Sequence, residues 1–185
     1  MKYEYIGYHG TNYELVESIK KDNFKMSLND DEWLGHGVYF FIDGISDAKN
    51  NALEWAKNQA YEYGQYKYNK YAVIEVKIIC EKILNITTQE GMKAFNILRN
   101  SLIRKHDSLF QRDRNFRCDD RVMWNLVAQV IGLEAVIHNL YIKDKVQRIR
   151  KIGSNVPNTT VMCVKTPDLI DKNSIKLMCD GEVIK

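Results

Sequence analysis

The stretch GHGVYFFID, residues 35–43, decides how this chain is expected to fold. Its apolar run, Val38 to Ile42, is continuous and rich in aromatic side chains, which is typical of a strand buried on both faces. Upstream, the tetrapeptide YHGT, residues 8–11, places a histidine directly before a glycine. A lone histidine beside a glycine is more often structural, but the two stretches at this spacing together indicate a site.

The rest of the chain alternates between helical and extended patterns. A short helix is predicted after Asn12 as its N-cap, and a longer one from Ser46 as its cap to about Gly64. Helices are also predicted over residues 88–105 and 119–132, and further strands over residues 71–79, 134–141, 159–166 and 174–179. This order of elements indicates an α+β fold.

The composition is that of one ordinary globular domain, expected to span residues 1–185. Hydrophobic residues make up 45% and charged residues 28%. The longest apolar runs are too short to cross a bilayer and the first residues do not read as a secretory signal, so we expect a cytoplasmic protein without a membrane partner. The net charge of +3 is compatible with a polyanionic partner but does not require one.

The cysteines and histidines are not arranged as metal ligands. The four cysteines form no C-x-x-C pair and no histidines cluster beside them, so we expect reduced thiols, mostly in the core, and no metal. His36 is assigned to a mobile loop, whereas His106 and His138 are interpreted as structural or exposed.

Tyr8-His9-Gly10-Thr11 and the stretch from Gly35 to Phe40 resemble the first two motifs of ADP-ribosyltransferases of the poly(ADP-ribose) polymerase type. That family places a histidine, a tyrosine and commonly a glutamate on three successive motifs. The resemblance covers about residues 5 to 78 and becomes faint beyond them. It implies a split β-sheet core with flanking helices, with a helical insertion around residues 88–132.

The resemblance also implies a set of site residues and a substrate, NAD, which is consumed. By resemblance, Tyr39 stacks on nicotinamide. The main chain of Gly10 pairs with a carboxamide, and the imidazole of His9 holds a ribose hydroxyl through a hydrogen bond that contributes roughly 1 kcal/mol, and more when it is buried. Thr11 is included among the NAD-binding residues. Trp55 is proposed, from its position one helix away, as a second wall of the nicotinamide pocket.

The third motif departs from the family pattern. Its best match is residues 159–166, where the glutamate position falls on Thr160 or Val161, and neither is a carboxylate. Chain extension needs an activated ribose hydroxyl, so we expect transfer of single units only. The alternative bases are Glu75, Asp119 or Asp120, and Glu134. Glu75 is taken as the third catalytic residue beside His9 and Tyr39.

These interpretations predict a mono-ADP-ribosyltransferase that transfers ADP-ribose to a macromolecular acceptor, either protein or nucleic acid. Its small size suggests, through the resemblance alone, a toxin or defence effector with an antitoxin as partner. The alternative is a non-catalytic module of the same fold that binds NAD, ADP-ribose or RNA. Transfer of an RNA 2'-phosphate onto NAD shares this fold but depends on arginines around the histidine. It ranks last because residues 6–15 contain no arginine. A redox dinucleotide domain is disfavoured by the lack of a G-x-G-x-x-G motif after a strand.

Overall fold

An open, mixed sheet of seven strands forms the centre of the fold. The computed structural model describes residues 1–29, 32–62, 65–105 and 120–183. The sheet strands are β1 (Tyr3–Asn12), β2 (Val38–Phe41), β5 (Lys70–Cys80), β6 (Ile83–Asn85), β7 (Ala135–Leu140), β8 (Thr159–Val164) and β9 (Ile170–Glu182). Their order across the sheet is β6-β7-β8-β2-β1-β5-β9. Strands β6 and β7 run parallel, and the other neighbours are antiparallel.

Helices cover both faces of this sheet. They are α1 (Val16–Asp22), α2 (Ala48–Gln59), α3 (Gln89–Lys105), α4 (Asp120–Ile131) and α5 (Lys145–Ile149). A separate hairpin joins β3 (Tyr61–Glu62) to β4 (Gln65–Tyr66). The α+β class expected from the sequence is confirmed. Among the described residues, no helix combines the length and the apolar character that crossing a membrane requires.

Strand β2 is buried from both sides, as its continuous apolar run predicts. Val38 and Phe40 belong to the core on the α1 face, together with Val16 and other residues of α1 and β5. Phe41 belongs to the core on the opposite face, with Ala52 of α2 and with residues of α3 and α4. Alternate side chains therefore enter two separate cores.

Most predicted elements are present, with two differences around α2. The side chain of Asp47, not Ser46, caps this helix by accepting from the backbone N–H of Asn50, and the hydroxyl of Ser46 instead donates to the carbonyl of Asn158. The helix ends at Gln59 rather than near Gly64, which lies outside the described residues. Local pattern identified the helix but not which of two adjacent capping side chains faces the first turn.

Strands β1 and β2 pair at one position and then separate. Strand β1 pairs with β5 from Tyr3 to Asn12, but its register with β2 consists of Tyr8 opposite Phe41. Strand β2 in turn pairs with β8 along its length. The segment of β1 after Tyr8 and the segment of β2 before Phe41 therefore line a gap in the sheet.

Candidate functional site

A cavity of about 230 Å³ lies where β1 and β2 separate. His9 and Gly10 border it from β1, Tyr39 borders it from β2, and Trp55 borders it from α2. Thr11 is buried but does not border this cavity. The structure thus brings together four of the residues that the sequence analysis selected, although they come from three separate elements.

His9 connects the two separated strands through its ring. Its Nδ1 lies 2.8 Å from the carbonyl oxygen of Tyr39. Because a carbonyl only accepts, Nδ1 carries the hydrogen, and Nε2 of the neutral ring is left as an acceptor. Among the described residues, none forms a hydrogen bond with Nε2. The rings of Phe24 and Phe40 contact the His9 ring edge-on, with distances of 5.1 and 5.8 Å between ring centroids.

Burial keeps the His9 ring neutral. Desolvation lowers its pKa below the ordinary value of 6.5, and the hydrogen bond to the Tyr39 carbonyl opposes this shift only in part. At neutral pH the ring therefore presents an uncharged acceptor to the cavity, suited to a hydroxyl donor.

We expect the free energy of unfolding to decrease as pH falls through about 6.5. The unfolded chain protonates His9 near its ordinary pKa while the folded protein resists protonation, so stability is complete above that pKa and is lost below it. One such group contributes a slope of at most about 1.4 kcal/mol per pH unit. The pKa of His138 is also lowered by burial and acts in the same direction.

Urea unfolding of the wild type and His9→Gln between about pH 5 and 7.5 measures this slope. The slope should be smaller in His9→Gln, and His138→Gln separates the contribution of the second histidine. Equal slopes in wild type and His9→Gln would contradict a His9 ring that stays neutral in the folded protein.

Tyr39 is held by its hydroxyl, which leaves its ring as the group that it offers to a ligand. The hydroxyl donates to the carbonyl of Gly35 at 2.6 Å and accepts from the backbone N–H of Leu34 at 2.9 Å. Burial raises its pKa, so the phenol stays protonated. An aromatic ring fixed in this way suits stacking better than proton transfer.

The turn that precedes β2 is tied to the rest of the protein. Lys165 donates to the carbonyls of Leu34 and His36 at 2.5 and 3.1 Å, and Asn125 accepts from the backbone N–H of His36 at 2.7 Å. Gly35 adopts a positive φ of 73°, which favours glycine. His36 therefore lies in an anchored turn and not in the mobile loop that we expected.

The packing of α2 against β1 requires glycine at position 10. A Cβ at this position would lie 2.0 Å from the carbonyl oxygen of Ala52 in α2. The close approach of this helix therefore excludes a side chain at Gly10. The residue still borders the cavity.

His9 and Tyr39 leave their strands toward opposite faces of the sheet. Because Tyr8 lies opposite Phe41, alternation places His9 on the same face as Phe40, and their rings are in contact. Tyr39 packs against the core on the α2 face. Both residues border one cavity because it extends into the gap between the two strands.

No carboxylate replaces the third-motif glutamate on β8. Val161 borders the cavity with an apolar side chain. The hydroxyl of Thr160 donates to Asn139 and accepts from the backbone N–H of Ile45. The position predicted for the glutamate is thus apolar or already engaged.

The other carboxylates that the sequence proposed lie away from the cavity where the structure describes them. Glu75 accepts from the hydroxyl of Tyr8 at 2.9 Å, lies 3.8 Å from Lys176, and does not border the cavity. Glu134 accepts from the backbone N–H groups of residues 81 and 82, beyond the far end of β5. Asp120 pairs with Arg99, and Asp119 is outside the described residues.

Sequence reasoning missed several residues of the site, among them Lys25, Ser27 and Leu140. Glu32 and Trp33, which precede the glycine-containing turn, border the cavity, and so does Ile142 after β7. Trp33 is 46% exposed, which is unusual for so large an apolar side chain. For Glu32 and Trp33 the available signal was their closeness to Gly35 along the chain. The mostly polar composition of residues 28–32 instead favoured a loop without a functional role.

Within the described ranges, no group of three or more histidine, cysteine, aspartate or glutamate side chains is arranged to hold a metal ion. Cys80 and Cys163 are buried free thiols and Cys179 is a partly buried one. Cys118 and His106 fall outside the described residues.

No protein family model matches the chain. It is similar to an uncharacterised protein of Methanocaldococcus jannaschii, with 28% identity over 94 residues. That alignment covers 49% of this chain and 41% of the relative, so the match spans less than half the length of that protein.

Proposed function

We propose that this protein is a mono-ADP-ribosyltransferase that cleaves NAD and transfers ADP-ribose to a macromolecule. One observation carries the proposal: His9, Gly10, Tyr39 and Trp55, which the motif resemblance selected, border one cavity although they come from three elements. The separation of β1 and β2 and the helices α3 and α4 support an ADP-ribosyltransferase-like split sheet with a helical insertion.

The chemistry of the cavity walls fits the nicotinamide riboside end of NAD. Tyr39 and Trp55 supply aromatic surfaces, and Val161 and Ile142 add apolar surface against which a flat ring can pack. The Nε2 atom of His9 accepts from a ribose hydroxyl. The cavity is smaller than the roughly 300–1,000 Å³ that drug-sized ligands occupy, so it encloses one end of the dinucleotide.

The reaction is transfer at the anomeric carbon of the nicotinamide ribose. The bond from this carbon to nicotinamide breaks through an oxocarbenium-like state, and a nucleophile of the acceptor takes its place. Holding the riboside between His9 and Tyr39 lowers the entropic part of the barrier. The acceptor is a protein or a nucleic acid, and the family resemblance suggests a toxin or defence effector with an antitoxin partner.

The test supplies the purified protein with NAD that carries a tag on its adenine, in a cell extract. We expect release of nicotinamide and covalent tagging of a macromolecule, and separate protease and nuclease digestions then identify the acceptor class. The matched control is Tyr39→Ala, which removes the aromatic wall and should abolish tagging. Wild-type protein that neither binds NAD nor releases nicotinamide would contradict the proposal.

A second candidate is a module that binds NAD, ADP-ribose or RNA without chemistry. The lack of a carboxylate at the position of the third-motif glutamate, whether this is Thr160 or Val161, favours it. Calorimetry separates the two functions: binding of NAD without release of nicotinamide would support the module and exclude the transferase.

A further inference from the structure

Strand β8 does not supply the carboxylate that the proposed reaction needs. An oxocarbenium-like state is stabilised by a nearby carboxylate, and an incoming hydroxyl or amine must lose a proton. Val161 supplies neither at the predicted position, and Glu75 is engaged with Tyr8 away from the cavity. A group from another element must therefore serve if the reaction occurs.

Glu32 is the carboxylate that borders the cavity, as far as the described part of the chain extends. It shares this lining with His9 and Tyr39, and its own backbone carbonyl accepts from the N–H of Gly35 at 3.0 Å. The side chain is thus carried by the same anchored turn that holds the Tyr39 hydroxyl. Glu32 and Tyr39 are consequently positioned as a unit.

The carboxylate is held by one of its oxygens. Ser27 donates its hydroxyl to Oε1 of Glu32 at 2.5 Å. The backbone of Ser27 is paired with that of Gly37, just before β2, through two hydrogen bonds of 2.9 and 3.1 Å. Among the described residues, none bonds to Oε2, so this oxygen remains available to a ligand.

The charge of Glu32 acts on other groups of the site. Burial is the main cause of the raised pKa of Tyr39, and the negative charge of Glu32 raises it further. The same charge adds to the effect of burial on the pKa of Cys163. The electrostatic field of Glu32 therefore reaches the phenol that is assigned to nicotinamide.

We propose that Glu32 is the catalytic carboxylate of this site, in place of the glutamate missing from β8. The inference rests on the proposed function. As the bond to nicotinamide breaks, its electron pair leaves with nicotinamide, and Glu32 stabilises the positive charge on the anomeric carbon. The oxygen or nitrogen atom of the acceptor then forms the new bond to this carbon. Its O–H or N–H bond breaks, and the proton passes to the Glu32 carboxylate.

The test compares Glu32→Gln with Glu75→Gln, two changes of the same chemistry, one inside and one outside the cavity. Nicotinamide release gives kcat and KM, and calorimetry gives NAD affinity. We expect Glu32→Gln to lower kcat by about 100-fold while NAD affinity changes less than about threefold. Glu75→Gln should keep kcat within about threefold of wild type.

Rescue by a small anion separates chemistry from structure. In Glu32→Ala, added formate should restore part of the lost kcat, which a merely structural role would not allow. Ser27→Ala, which frees the carboxylate, should lower kcat by about tenfold and is decisive if the Glu32 variants do not fold. Wild-type kcat in Glu32→Gln or in Ser27→Ala, or a lack of rescue, would overturn the role of Glu32. A wild-type protein that releases no nicotinamide would instead refute the proposed function.

Discussion

Replacement of His9 by alanine should slow nicotinamide release by about 100-fold or more. The imidazole is the polar group that reaches the cavity from β1, and its free Nε2 is the acceptor assigned to the ribose. Removal of one preorganised hydrogen-bonding group from an active site, such as an oxyanion-hole donor, costs about 10²–10³ in rate. Steady-state assays of nicotinamide release with purified protein measure this change.

His138→Ala is the matched control, since this histidine is also partly buried but does not border the cavity. Its kcat should remain within about threefold of wild type. Thermal unfolding of both variants shows whether the alanine at position 9 also weakens the link to the Tyr39 carbonyl. A folded His9→Ala protein with wild-type turnover would refute the role of the imidazole.

Gly10→Ala should destabilise the protein by about 3 kcal/mol, the upper end of typical overpacking costs. The added methyl group would lie 2.0 Å from the Ala52 carbonyl and 3.0 Å from the Ala56 Cβ, so α2 must move away from β1. Because α2 also carries Trp55, NAD binding should weaken in parallel. Urea unfolding gives the change in free energy.

The same substitution at an open glycine provides the comparison. A Cβ at Gly153 would have no atom within 4 Å, so Gly153→Ala should change stability by less than about 0.5 kcal/mol. A Gly10→Ala protein as stable as Gly153→Ala would show that α2 does not pack against β1 as described.

Local pattern was sufficient for most secondary structure. Strand β2 follows from five adjacent apolar residues, and α4 follows from helical spacing and ends before Gly132, whose φ is 61°. These features depend on neighbours along the chain, and the sequence records them directly. The short strand β6 and the helix α5 were not predicted, because segments of three and five residues carry little periodic signal.

The candidate site was predictable only where it lies within motifs. His9 and Tyr39 were selected from two short stretches, and the structure places both at one cavity. Glu75 was selected as a base, but register directs it toward Tyr8. Glu32 was passed over, because its polar segment is brought beside β2 by tertiary contacts such as the pairing of Ser27 with Gly37.

The sequence by itself determined the α+β alternation, the strand buried on both faces, and the residue types available for a site. The tertiary structure decided which of these residues meet. The strand pairing of β1 with β2 is limited to Tyr8 opposite Phe41, and this register opens the gap, sends His9 and Tyr39 to opposite faces, and leaves room for Glu32. Register depends on how the patterns of two strands distant in sequence match each other, so the pattern of either strand alone does not fix it.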